Sequence, residues 1–325
     1  MKKILAMLLA VMMLLSVASV AMADEINTDQ QTVTIKKVYK LANAGTKSPA
    51  ETFNLTQTGS RVVDGEATSA PDLGTITGAT FAEGAATVNG ATGDITVTLP
   101  EYTHVGVYEY TLKETAATTA GVTYFGNNIK LVVTVVNGEN GKLRIAAVHT
   151  EADGADKSDT FVNTYSAGKL NVTKTVTGNL GDKDKYFTVT VTLTGENGKT
   201  YADSYAVTGG KYTAGETIKV GEPKTFELKN GDTISIANLP YGVTYTVVEG
   251  DYTGDKGGYE RPSYTGDVDD DAKIDGATQN VTITNNKGGT IDTGVMLDSM
   301  PYVLVLAVVG AAVIALIAKK RRAED

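Results

Sequence analysis

Tyr186-Phe187-Thr188-Val189-Thr190-Val191-Thr192-Leu193 sets threonine against aliphatic and aromatic residues in strict alternation. Successive side chains of an extended backbone point to opposite faces, so this segment has one apolar face and one hydroxyl-bearing face, as a half-buried strand does. The same period of two recurs in Thr32-Val33-Thr34-Ile35, in Asp94-Ile95-Thr96-Val97-Thr98-Leu99 and in Val281-Thr282-Ile283-Thr284. Gly138-Glu139-Asn140-Gly141 and Gly195-Glu196-Asn197-Gly198 punctuate the pattern with Asn-Gly pairs that suit tight hairpins. No helical period of useful length occurs between the two ends of the chain. The expected fold class is all-β: two tandem β-sandwich domains with antiparallel strands, rich in β-branched residues.

Composition narrows the function. The chain has 325 residues, no cysteine and a formal net charge of −9. Its terminal basic clusters make the middle more acidic still, which argues against nucleic acid as a partner. His104 and His149, the two histidines, stand outside any ligand spacing. Gly198-Lys199-Thr200 ends like a phosphate-binding loop but lacks its first glycine. Asp267, Asp269, Asp270, Asp271 and Asp275 lack the glycine and glutamate of a calcium loop. No cofactor or metal is implied, and no constellation for an enzyme acting on an external substrate appears.

The two ends carry an address. Lys2-Lys3, the apolar segment Ile4 to Val20 and Ala21-Met22-Ala23 read as a signal peptide over 1–23, so export is expected. Near the other end, an apolar run at 299–318 precedes Lys319-Lys320-Arg321-Arg322, the pattern of a transmembrane helix with a cytoplasmic basic tail at 319–325. A secreted chain without cysteine has no disulfide to staple it.

A weak internal repeat divides what lies between, into 24–165 and 166–287, with 288–298 as a linker. Val33-Thr34-Ile35-Lys36-Lys37 is echoed by Leu170-Asn171-Val172-Thr173-Lys174. Gly106-Val107-Tyr108-Glu109-Tyr110-Thr111-Leu112-Lys113-Glu114 is echoed by Gly242-Val243-Thr244-Tyr245-Thr246-Val247-Val248-Glu249. Phe161-Val162-Asn163 is echoed by Ile283-Thr284-Asn285. Parity puts Lys37 on the face of Val33 and Ile35, Lys174 on that of Leu170 and Val172, and Asn285 on that of Val281 and Ile283. Glu114 and Glu249 continue the apolar rows of Tyr108, Tyr110, Leu112 and of Val243, Tyr245, Val247. Face parity alone favours Lys37 over its neighbour Lys36. A lone Lys, Glu or Asn in a core is costly, whereas three together can satisfy one another. They can also react, because desolvation favours a neutral amine and a neutral acid, and a neutral amine held against a carboxamide is a nucleophile.

At these residues the chain resembles the isopeptide-linked major pilins of Gram-positive bacteria, shaft subunits of two Ig-like, Cna-B-type sandwiches. Val172-Thr173-x-Lys-x-Val176-x-Gly178 and Leu239-Pro240-x-Gly242-Val243 are the more specific pieces. The resemblance implies internal Lys37–Asn163 and Lys174–Asn285 bonds, with Glu114 and Glu249 as assisting acids. Thr290-Ile291-Asp292-Thr293-Gly294 is similar to a sortase sorting signal, with Ile291-Asp292 where Pro and x usually stand. It implies cleavage between Thr293 and Gly294 by a sortase, and transfer of the Thr293 carboxyl to a lysine of the next copy in a head-to-tail covalent polymer. The nearest candidate lysine is Lys157, shortly before Asn163; solvated loop lysines such as Lys169 or Lys142 are the alternative. Further partners implied are minor pilins and host surface ligands, at the cell wall. The second reading is a wall-anchored monomeric adhesin or stalk, using the 195–225 insert or the Gly-rich 253–276 loop as its ligand surface.

Overall fold

The computed structural model describes residues 31–152, 157–158, 160–268, 272–290 and 300–324. Strands dominate it, arranged as two successive pairs of larger sheets with a small two-stranded sheet, Glu51–Phe53 and Ala79–Phe81, beside the first. In the first pair, a five-stranded sheet has the order Ile76–Thr77, Ala91–Thr98, Thr32–Leu41, Thr160–Tyr165, Val122–Thr123, and a four-stranded sheet runs Leu143–Ala152, Ile129–Asn137, Gly106–Glu114, Leu55–Gly65. In the second, a six-stranded sheet is ordered Tyr212–Ile218, Tyr205–Gly209, Thr233–Pro240, Ala167–Thr177, Thr278–Asn286, Ser263–Gly266. Its partner is a three-stranded sheet, Lys224–Leu228, Phe187–Thr194, Thr244–Glu249.

Alternation explains the layers. Along Phe187–Thr194, Phe187, Val189, Val191 and Leu193 are fully buried while the threonines face outward. One apolar cluster, from Val33 to Ala167, fills the first pair of sheets, and a second, from Leu170 to Ile283, fills the other. A small satellite of Val176, Phe187 and Tyr259 lies beside the second cluster.

The five-stranded and six-stranded sheets each depart from a wholly antiparallel arrangement at one ladder. Thr32–Leu41 pairs in parallel with Thr160–Tyr165, and Ala167–Thr177 in parallel with Thr278–Asn286. A parallel ladder needs a long connection between its strands, and here nearly the whole half intervenes. Opening and closing strands thus lie side by side in each half.

Of the two Asn-Gly turns, Gly138 to Gly141 joins the antiparallel Ile129–Asn137 and Leu143–Ala152 through a short 3-10 turn. Gly195 to Gly198 does not make the expected hairpin. Both flanks of Phe187–Thr194 are occupied by Lys224–Leu228 and Thr244–Glu249, so the chain crosses to the other sheet, where Tyr205–Gly209 and Tyr212–Ile218 form an edge hairpin. On the way Thr200 docks on the first half: its N–H donates to Thr118 O (2.8 Å) and its carbonyl accepts from Ala120 N–H (2.9 Å).

Across the same waist, Lys47 and Asn238 bond reciprocally, Lys47 N–H to Asn238 Oδ1 (2.8 Å) and Asn238 Nδ2 to Lys47 O (2.9 Å). Asn238 has φ 60°, a left-handed conformation that asparagine tolerates better than most residues. Asn43 adds donations to Ala167 O (2.9 Å) and Tyr241 Oη (2.6 Å).

The C-terminal apolar run is helical within Met300–Glu324, with Leu304, Leu306 and Ile314 exposed. Among the described residues no helix is long and apolar enough to cross a membrane, so its passage through a bilayer rests on the sequence pattern. The 1–23 segment lies outside the described residues.

Candidate functional site

The parallel ladder creates the first cluster. Register places Lys37 beside Phe161 and Tyr39 beside Asn163, and alternation turns all four inward. The four-carbon stem of Lys37 then spans the two-residue offset, and its Nζ donates to Asn163 Oδ1 at 2.7 Å. Glu114, the last residue of Gly106–Glu114 on the facing sheet, closes the triangle. It accepts from Lys37 Nζ through Oε2 and from Asn163 Nδ2 through Oε1, the latter at 2.5 Å. All three residues are buried, Lys37 and Asn163 to within 1% of completely.

The surroundings are dry. The Phe53 and Phe125 rings lie 5.3 and 5.6 Å from Lys37 Nζ. Burial lowers the Lys37 pKa, and the attraction of Glu114 opposes that shift only in part. The main-chain N–H of Phe125 also enters, donating to Asn163 Oδ1 at 2.9 Å and, more distantly, to Glu114 Oε1 at 3.3 Å.

The second cluster repeats the plan with looser contacts. Lys174 lies beside Ile283 and Val176 beside Asn285, the same two-residue offset. Lys174 Nζ donates to Asn285 Oδ1 at 2.6 Å and also to the main-chain oxygen of Thr175 at 2.7 Å. Asn285 Nδ2 donates to Glu249 Oε2 at 2.7 Å, while Lys174 Nζ and Glu249 Oε1 are 3.6 Å apart. Glu249 Oε1 is buried without a hydrogen-bond partner. The Phe187 ring, edged by Tyr252 and Tyr259, lies 4.4 Å from the amine. Burial pushes Lys174 down and Glu249 up, a pair drawn toward its neutral forms.

The structure thus gathers Lys37, Glu114 and Asn163 at one place and Lys174, Glu249 and Asn285 at another. Lys36 faces out to an ion pair with Asp94, 2.6 Å away and half exposed. Lys157 is exposed, its backbone bridged to Glu151 and its side chain apart from the triad. Lys169 is exposed and Lys142 is exposed. Thr293 and Gly294 lie outside the described residues. The Phe125 N–H was missed in the sequence, since a main-chain donor leaves no residue-type signal. The phenylalanine walls were hidden among ordinary core positions.

An amine, an acid and a carboxamide buried together between two β-sheets, with amine and carboxamide on the paired opening and closing strands, give the two halves one common β-sandwich plan. Comparison with known proteins agrees. Residues 33–166 match the model of the Spy0128-like isopeptide containing domain family. Residues 168–287 match a domain of unknown function (DUF7601). A pilin of Streptococcus pyogenes serotype M1 is 29% identical over 238 residues, covering 64% of this chain and 66% of that protein. The pilus tip adhesin Cpa of Streptococcus pyogenes is 33% identical over 81 residues, covering 25% of this chain and 11% of the adhesin. The crystal structure of the Streptococcus pyogenes major pilin superposes with a TM-score of 0.53 at 22% identity, covering 81% of this chain and 100% of that one; at that identity the likeness speaks for the fold. By name, two of these relatives are pilins and the third a pilus tip adhesin.

Proposed function

We propose that the chain is a shaft subunit of a sortase-assembled pilus, built from two Ig-like, Cna-B-type domains at about 24–165 and 166–287 that weld themselves internally. The observation that carries this reading is the pair of Lys Nζ to Asn Oδ1 contacts, 2.7 and 2.6 Å, between the first and last strands of each half. In each, the neutral amine attacks the carboxamide carbon, and the glutamic acid carries a proton from Nζ to Nδ2. The Cγ–Nδ2 bond breaks, ammonia leaves and a Lys–Asn isopeptide bond remains. Fixed proximity in a dry core supplies much of the acceleration. This is one turnover per site on the chain's own residues, with Glu114 and Glu249 in the assisting role.

Assembly needs an exported, anchored precursor. The 1–23 signal peptide, the 299–318 transmembrane helix and the 319–325 basic tail supply it, and a sortase then cleaves between Thr293 and Gly294. Lys157, exposed on the first half, takes the Thr293 carboxyl of the next copy. A heterologous head-to-tail contact of this kind propagates as an open filament. Minor pilins and host surface ligands are the further partners at the cell wall.

The test has two arms. The mass of the intact exported chain should fall short of its sequence mass by two ammonia molecules, and Glu114→Ala or Glu249→Ala should each restore one; a full sequence mass sinks the internal bonds. Cell-wall extracts should show a ladder of covalent multimers on denaturing gels that collapses on changing Thr293 or Lys157. A single band in the unaltered strain would instead identify an anchored monomeric stalk or adhesin.

A further inference from the structure

We propose that the main-chain N–H of Phe125 is a catalytic group of the first cluster, an oxyanion donor without a counterpart in the second; this rests on the condensation reading above. When Lys37 Nζ bonds to Asn163 Cγ, the carbonyl electron pair moves onto Oδ1. The Phe125 N–H already points at that atom from 2.9 Å. A fixed donor aimed at developing negative charge in a water-free site is worth far more than the same donor in solvent. Its second acceptor, Glu114 Oε1, is farther at 3.3 Å, so charge growing on Oδ1 draws the hydrogen bond toward the reacting atom.

The donor is held in place by the strand that carries its target. The Phe125 ring packs edge-on against Phe161, 5.1 Å between centroids, and Asn163 follows two positions along the same Thr160–Tyr165 strand. Loop and electrophile therefore move together. In the second cluster the hydrogen bond to Asn285 Oδ1 comes from Lys174 Nζ, which is itself the nucleophile and surrenders its proton during the step. No backbone N–H among the described residues takes the place that Phe125 holds.

The balance is unchanged by the donor: one Nζ–Cγ bond forms, one Cγ–Nδ2 bond breaks, Glu114 relays one proton to the leaving nitrogen and one ammonia departs, with no redox change. Only the tetrahedral intermediate gains a partner. The two bonds of one molecule should thus close at different rates.

The experiment replaces Phe125 by phenyllactate, through nonsense suppression in cell-free synthesis of the full chain, so that an ester oxygen stands where the N–H was and the ring is kept. Samples are quenched in denaturant at intervals and digested, and the linked Lys37–Asn163 and Lys174–Asn285 peptide pairs are quantified by mass spectrometry. Loss of the donor should slow the first bond about 10²-fold and leave the second, the internal clock, unchanged. An ester-bearing chain that forms its first bond at the unaltered rate overturns the proposal. In the unaltered chain the first bond should close before the second, and the reverse order overturns it independently of how the ester chain folds. If neither pair links in the unaltered chain, the condensation reading itself has failed, before Phe125 is touched.

Discussion

Lys37 and Lys174 reach their carboxamides across the same two-residue offset of a parallel ladder, yet the two amines are held by different company. In the first half the triangle closes on all three sides and a backbone donor joins it. In the second, one side is open at 3.6 Å, one glutamate oxygen is orphaned and the amine also binds a main-chain carbonyl. What the two share is strand pairing and burial. The contrast teaches that the register of opening and closing strands brings amine and carboxamide together, while the acid and any extra donor set how well the encounter is served.

The largest effect should come from Asn163→Ala. It removes the proposed covalent link across a sequence separation of 126 residues, which by the chain-entropy account of disulfides would contribute about 4 to 5 kcal/mol. It also strands a buried lysine and part of the Phe125 donor's bonding, adding about 1 to 3 kcal/mol. Asn285→Ala should cost less, since no such donor faces it; equal losses in denaturant unfolding would break the comparison. Next come the acids. Under the proposed condensation Glu114→Ala and Glu249→Ala would each forfeit a link, but the second also removes an orphaned oxygen, so its unfolding free energy should fall by the smaller amount.

A pH dependence separates the halves further. In Lys174→Ala the second link cannot form and Glu249 stays buried, its pKa raised by desolvation above 4.5 and now without the lysine that opposes the shift. The folded state then binds this proton more tightly than the unfolded chain. Its stability contribution is complete below pH 4.5 and is lost as pH rises through the raised value. The melting temperature of Lys174→Ala should therefore fall from about pH 4 toward neutrality, and adding Glu249→Gln should flatten the profile. A flat profile in Lys174→Ala alone would contradict the assigned burial. The smallest effect belongs to Lys36→Ala, which breaks an exposed ion pair and should change stability by less than about 0.5 kcal/mol, against the several kcal/mol expected of its neighbour.

Much of this was legible in the residues because strands write their faces in alternation. Lys37 continues the row of Val33 and Ile35, and Glu114 that of Tyr108, Tyr110 and Leu112; the structure buries each row where parity put it. Parity could not supply the parallel pairing that aligns Lys37 with Asn163 and Lys174 with Asn285, since that depends on contacts between segments far apart in sequence. Nor could it reveal that Gly195 to Gly198 leads across the sandwich, because the hairpin it suggests is barred by neighbours that only the assembled sheet shows. The Phe125 donor was illegible for a simpler reason, every residue but proline having such a group.

The waist between the halves carries a consequence of its own. Lys47 and Asn238 clasp it through two hydrogen bonds, and Thr200 ties it again through the backbone to Thr118 and Ala120. Tilting one half on the other would stretch one or another of these bonds, so together they oppose relative motion of the two halves. In the proposed filament, compliance would then reside more at the joints between neighbouring copies than at this waist.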